Sequence, residues 1–124
     1  MLSSEMFNLA GRVLVAGYFL WATAFNLKGR EVHQMHFSSL GLPLAMLWHP
    51  LGLALQCSGA ILLLIDRTAV WGGFMLIGFT LCADMLYHRF WSIDDPQERT
   101  HQKLCLYEHL ALCGGMLGLL AAHF

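Results

Sequence analysis

Four apolar runs organise the chain, at residues of about 7–27, 43–65, 69–88 and 103–123. Each is close to the 20 or so residues that a helix needs to cross a bilayer. In lipid an open strand leaves backbone groups unpaired, so each run is predicted to be helical. Residues 1–124 then form one integral membrane domain, an all-α transmembrane four-helix bundle. The polar punctuation fits this pattern. Pro43 suits the first turn of the second helix, and Pro50 is expected to kink that helix near His49. Asp66-Arg67 leaves room only for a very short turn, so spans two and three form an antiparallel hairpin. Asp95, Pro96 and Glu98 read as N-cap, first helical residue and capping-box acid, which starts the last helix in water near residue 96.

The stretch 29–42 is too polar to span. It is predicted to form a short interfacial helix, with Val32, Met35 and Phe37 facing apolar material and His33 and His36 facing another way. Small residues recur where helices can approach, among them Gly59, Gly72, Gly73 and the GxxxG spacing of Gly114 and Gly118.

Composition strengthens the membrane reading. The chain is 57% hydrophobic and 12% charged, with a mean hydropathy of +0.57, whereas soluble domains average about 25% charged residues. A net charge of -1 supplies no basic field, which excludes nucleic acid as a partner class. The expected partners are the lipid bilayer and other membrane subunits or a second copy. The opening segment lacks a basic region ahead of its apolar run and a clear cleavage site, so it is expected to be a retained span. Cys57, Cys82, Cys105 and Cys113 lie in apolar runs with no CxxC pair. They read as small buried residues, with a thiol–disulfide relay as the sharper alternative. No nucleophile elbow, HExxH, P-loop or dinucleotide fingerprint occurs, which argues against a self-contained enzyme of soluble type.

Antiparallel threading gives the bundle two ends. One holds both termini and the Asp66-Arg67 turn; the other holds the segments 28–42 and 89–102. His33, His36, His49, His88, His101 and His109 all fall toward this two-loop end, joined by Asn26, Asp84 and Glu108, while His123 lies opposite. The two-loop end also carries Lys28, Arg30, Arg89, Arg99 and Lys103 against Arg12 and Arg67 at the other, which places the loops in the cytoplasm. Asp84 and His88 are four apart and share a helix face. Ionisable groups inside a span are costly and turn toward the bundle interior or a wet cavity. Asp84, His88, Glu108 and His109 are therefore expected to line one pocket at this mouth, with His49 and Trp91 near it.

Three uses of such a pocket stay open. The acids and imidazoles can pair among themselves or with Arg89. They can hold a quinone-like or other small ligand. They can also bind a metal, for which His33, His36, Asp84 and His88 are weak candidates. A bis-histidine haem needs one imidazole on each of two facing helices, and only His49 with His109 matches in depth. Tyr87, Phe90, Trp91, Trp48 and Tyr107 read as an interfacial aromatic belt or as a wall for a planar ligand.

Several stretches resemble the DoxX family of small four-span bacterial membrane proteins: GRVLVAGYFLWATAFNL, SSLGLPLA, the hairpin LGLALQCSGAILLLIDRTAVWGGFML, YHRFW and LALCGGMLGLL. The likeness covers nearly the whole chain and rests on the order and spacing of loose motifs. It implies a bundle in the bacterial cytoplasmic membrane, near quinone and a membrane redox assembly. A non-catalytic structural subunit and a small metal or solute binder are the alternative functions. The chain departs from the family pattern at two places. Gln56 stands where the family has an acid, and Glu108-His109 stands where it has a Lys-Asn pair.

Overall fold

The computed structural model describes residues 2–124, and among them the fold is all-α. Five helices follow one another: α1 (Ser4–Lys28), α2 (Arg30–Ser39), α3 (Ala45–Leu64), α4 (Ala69–Tyr87) and α5 (Pro96–Ala121). Short 3-10 turns at Asp66–Thr68 and Phe90–Ser92 precede α4 and α5. The helices α3, α5 and the segment Asp66–Ser92 containing α4 are long and apolar enough to cross a membrane. The 25-residue α1 is long enough but more polar, because it carries Asn8, Arg12 and Asn26.

Local chemistry sets the helix ends. The Ser3 hydroxyl accepts from the Met6 N–H and caps α1. Asp95 accepts from the Glu98 N–H at 2.9 Å and Pro96 fills the first turn, so α5 starts where the capping pattern puts it. Two expected boundaries move. The second long helix starts at Ala45 rather than at Pro43, because Leu44 takes a left-handed conformation (φ 54°). The Pro43 carbonyl instead accepts from the Trp48 indole N–H at 2.8 Å. Pro50 lies inside α3, which runs unbroken to Leu64.

The chain packs α1 on α3, α3 on α4 and α4 on α5. The termini end is solid: Ala16, Phe19, Ala60, Leu63, Ala69, Leu76, Met116 and Leu120 form its core. Close helix approach makes this possible. A Cβ on Gly72 would overlap the backbone of Leu63 and lie 2.6 Å from the Gly59 carbonyl oxygen. On Gly11 it would lie 2.5 Å from a Leu119 methyl. Gly114 and Gly118 play no such part: both are exposed and have open space around them.

Arg12 locks this end. Its side chain is buried, with donors on the Leu63 carbonyl (3.1 Å), the Leu64 carbonyl (3.4 Å), Asn8 Oδ1 (2.9 Å) and Asp66 Oδ1 (3.3 Å). It caps the C-terminus of α3, whose last carbonyls have no partner within the helix. Asn8 donates to the Leu119 carbonyl at 2.8 Å and His123 reaches Asp66 at 3.2 Å, so α1, α5 and the hairpin turn meet here.

Candidate functional site

The other half of the bundle is hollow. Toward the two-loop end all five helices line a half-open cavity of about 560 Å³, within the ~300–1,000 Å³ usual for small-molecule sites. Its walls are largely aromatic and aliphatic, with Phe19, Trp21, Phe25, Trp48, Phe79 and Leu112 among them. Trp21 is 62% exposed on α1 and stacks on Phe25, so the cavity reaches the apolar outer surface of the protein. Two groups of polar side chains lie toward its two-loop end, one joining α4 to α5 and the other α2 to α3 and α4.

The first group joins α4 and α5. Asp84 is 2% exposed. Its Oδ1 lies 2.5 Å from His109 Nδ1 and 3.9 Å from His88 Nε2. Its Oδ2 is buried and has no hydrogen-bond partner. His88 Nδ1 faces Gln102 Oε1 at 2.6 Å, and the Gln102 amide nitrogen donates to Glu98 Oε1 at 2.6 Å. The Glu98 contact fixes the amide orientation, so Gln102 presents its oxygen to His88. His88 and His109 line the cavity, while Asp84 sits behind them. Donor atoms of Asp84, His88 and His109 all lie within 4.8 Å of one another.

The second group docks α2 onto α3 and α4. His33 stacks on His49 with ring centres 4.8 Å apart, and its Nδ1 meets the Tyr87 hydroxyl at 2.6 Å. His36 stacks on Tyr87 and its Nε2 donates to the Leu86 carbonyl at 2.9 Å. Burial, helped by the neighbouring His49 and His36, pushes the His33 pKa down. A proton on His33 is therefore disfavoured in the docked helix. His49 is 7% exposed and its Nε2, buried on the cavity wall, has no hydrogen-bond partner.

The anticipated site residues separate into those brought together and those not. Asp84, His88 and His109 form one cluster, and His49 shares the cavity with the two histidines. Glu108 is exposed on the outer face of α5, so its expected place in the pocket and its pairing with His88 or His109 are not seen. The reason is helical geometry: adjacent residues differ by about 100°, so His109 facing inward turns Glu108 away. Trp91 is likewise exposed and outside the cavity. His33 and His36 stand with His49 and Tyr87 and not with Asp84 and His88. On α2, Val32 and Met35 point outward as expected, but Phe37 turns inward with the histidines.

Tyr87 and Trp48, read from the sequence as belt or wall, line the cavity, whereas Gln102 and Thr80 were not anticipated at the site. Gln102 carried a readable signal: it lies one turn after Glu98 and seven residues before His109, on the same face of α5. No family model, curated protein or solved structure matches the chain.

Proposed function

We propose that this protein is a DoxX-like four-span membrane protein that binds a quinone-class lipid within a membrane redox assembly of the bacterial cytoplasmic membrane. The observation that carries the reading is the cavity itself, with an apolar body, an opening on the outer surface beside Trp21 and polar side chains toward its two-loop end. Such a shape suits an amphipathic molecule that arrives through lipid, with a ring small enough for about 560 Å³ and a tail left among the helices. The His49 Nε2 is a buried polar atom on that wall with no partner, and buried polar atoms are rarely left so. A quinone oxygen supplies the partner.

The fourth span is supported by how α1 distributes its polarity. Arg12 is buried and Asn8, Thr23 and Asn26 are half-buried, whereas Val13, Leu14, Trp21 and Phe25 are exposed. The polar residues that interrupt the apolar stretch of α1 thus face the bundle, and lipid meets an apolar surface. A purely structural subunit needs no such cavity.

Trp21 and Trp48 line the cavity and report on it directly. A short-chain benzoquinone titrated into the detergent-purified protein is expected to quench tryptophan fluorescence with saturation. His49→Ala is expected to weaken binding about tenfold, the scale of one buried hydrogen bond. Filling the cavity with Ala22→Phe is expected to abolish it. Quenching that rises linearly with quinone and ignores both substitutions would refute the assignment.

A further inference from the structure

We infer that Asp84, His88 and His109 form a three-ligand binding site for a divalent first-row transition metal, zinc or ferrous iron by class, on the wall of the cavity. This goes beyond the quinone-binding reading and does not depend on it.

The hydrogen bonds of His88 give the first indication. Gln102 offers an oxygen to His88 Nδ1 at 2.6 Å, so that nitrogen carries a proton and donates. In the neutral ring Nε2 then carries a lone pair. That lone pair faces the carboxylate of Asp84 across 3.9 Å, too far for a hydrogen bond. Two acceptors face each other inside an apolar helix bundle. Only a cation between them, or a proton on the ring, turns this contact from repulsive to attractive.

Asp84 gives the second, independent indication. It is 98% buried, yet Oδ2 has no partner and Oδ1 has only His109. One neutral imidazole donor does not balance a buried carboxylate, since an uncompensated charge costs several kcal/mol. A divalent ion held by Asp84 Oδ1 and both imidazoles neutralises the carboxylate and takes up the lone pair of His88 Nε2.

The geometry is of the right size. Metal bonds to nitrogen and oxygen of about 2.0–2.2 Å place neighbouring ligand atoms about 3.4 Å apart in a tetrahedral shell. The observed separations from Asp84 Oδ1, 2.5 Å to His109 and 3.9 Å to His88, bracket that value. Binding at His109 Nδ1 shifts the proton that this nitrogen shares with Asp84 to Nε2, by exchange with solvent, so the ring stays a neutral ligand. Two histidines and one carboxylate leave at least one coordination position free, a ligand set shared by catalytic zinc and non-haem iron sites. The free position faces the cavity, because both histidines line it and Asp84 lies behind them.

The outer contacts match as well. A metal-bound imidazole commonly donates its other N–H to an oxygen acceptor, which fixes its tautomer and orientation. The Gln102 contact, itself steadied by Glu98, does this for His88.

The untagged, detergent-purified protein, stripped with chelator and titrated with Co²⁺ in the absence of quinone, tests the site. One Co²⁺ per chain with visible d–d absorption is expected. His88→Ala and His109→Ala should each abolish uptake, while Gln102→Leu should weaken it about 10–100-fold. The His101/Cys105 contact at 3.9 Å and the His123/Asp66 contact at 3.2 Å are other places where Co²⁺ could lodge, and His101→Ala and His123→Ala should each leave uptake intact. X-ray absorption of the Co²⁺-loaded native sequence gives a readout that needs no variant, with two imidazoles and one carboxylate expected. Absence of uptake, uptake unchanged in the double histidine variant, loss with His101→Ala, or fewer than two imidazoles in the absorption spectrum would each overturn the site. Saturable quinone binding without Co²⁺ uptake would remove the metal site and leave the cavity reading standing.

Discussion

Two ionisable side chains, Arg12 and Asp84, sit inside apolar helices, and the protein treats them differently. Arg12 is fully satisfied: its donors end on two backbone carbonyls, an asparagine and Asp66. Asp84 keeps one oxygen without a partner. The first arrangement is what a structural residue needs, and the second is what a binding residue keeps in reserve. Within the Arg12 cluster the carbonyl caps outweigh the ion pair, because the Asp66 side chain is 81% exposed. Exposed ion pairs contribute about 0–1 kcal/mol, whereas a buried acceptor left unpaired costs about 1–3 kcal/mol. Arg12→Ala is therefore expected to destabilise by about 2–4 kcal/mol, and Asp66→Asn by less than about 1 kcal/mol. Thermal unfolding in detergent compares the two. Equal losses would show that the ion pair, and not the capping of α3, holds this end together.

At the scale of elements, small residues decide where helices touch. The closest crossing is α3 on α4, where Gly59 and Gly72 bring backbone against backbone. A methyl group on Gly72 would fall 2.8 Å from the Leu62 carbonyl carbon as well as on its other backbone neighbours. Backbone atoms in a packed helix cannot rotate aside, so the whole pair must separate. Gly72→Ala is expected to cost about 1–3 kcal/mol or more, the scale of overpacking. Gly114→Ala meets nothing within 4 Å and is expected to leave the melting temperature nearly unchanged. A loss at Gly114 as large as at Gly72 would overturn the assignment of the tight crossing to α3 and α4. The spacing of Gly114 and Gly118 is the same as in many helix contacts, yet spacing alone does not say whether a second helix lies opposite. Here the partner of the third long helix is chosen by Gly59 and Leu76, and α5 meets α4 through Leu120 at Gly73 instead.

The whole molecule has a solid half and a hollow half, and this asymmetry follows from where polar and small residues fall along each helix. Near the termini, alanine and glycine let four helices close around Leu63, Leu76 and Met116. Toward the loops, rings and polar side chains hold the helices apart and enclose the cavity. The first half of α1 and the last turn of α5 lie at the end of the bundle that holds the Asp66 turn, since Arg12 and His123 both reach Asp66. The four spans proposed for this chain require residues near its two ends to lie on one side of the membrane. Single cysteines introduced at Ser3 and at Phe124, in a chain lacking its four native cysteines, are expected to react with an impermeant thiol reagent from the same side of oriented vesicles. Labelling from opposite sides would refute four spans.

How much of this could be read from the residues differs from feature to feature, for physical reasons. The apolar run lengths determine the long helices, because a bilayer tolerates no unpaired backbone. Asp95, Pro96 and Glu98 determine the start of α5, because a cap is a local contact. The gathering of histidines at one end follows from antiparallel threading alone. Facing was not legible in the same way. Both sides of a membrane helix are apolar, so the pattern carries little rotational information, and Glu108 could not be separated from His109 without knowing which of them meets α4. The same loss of contrast hid the solid and hollow halves. Whether a glycine closes a crossing or faces open space depends on the residue opposite, as Gly72 and Gly114 show. Asp84 was legible as a buried acid in need of partners; that those partners are His109 at 2.5 Å and His88 at 3.9 Å, with Oδ2 left over, was decided only when α4 and α5 packed side by side.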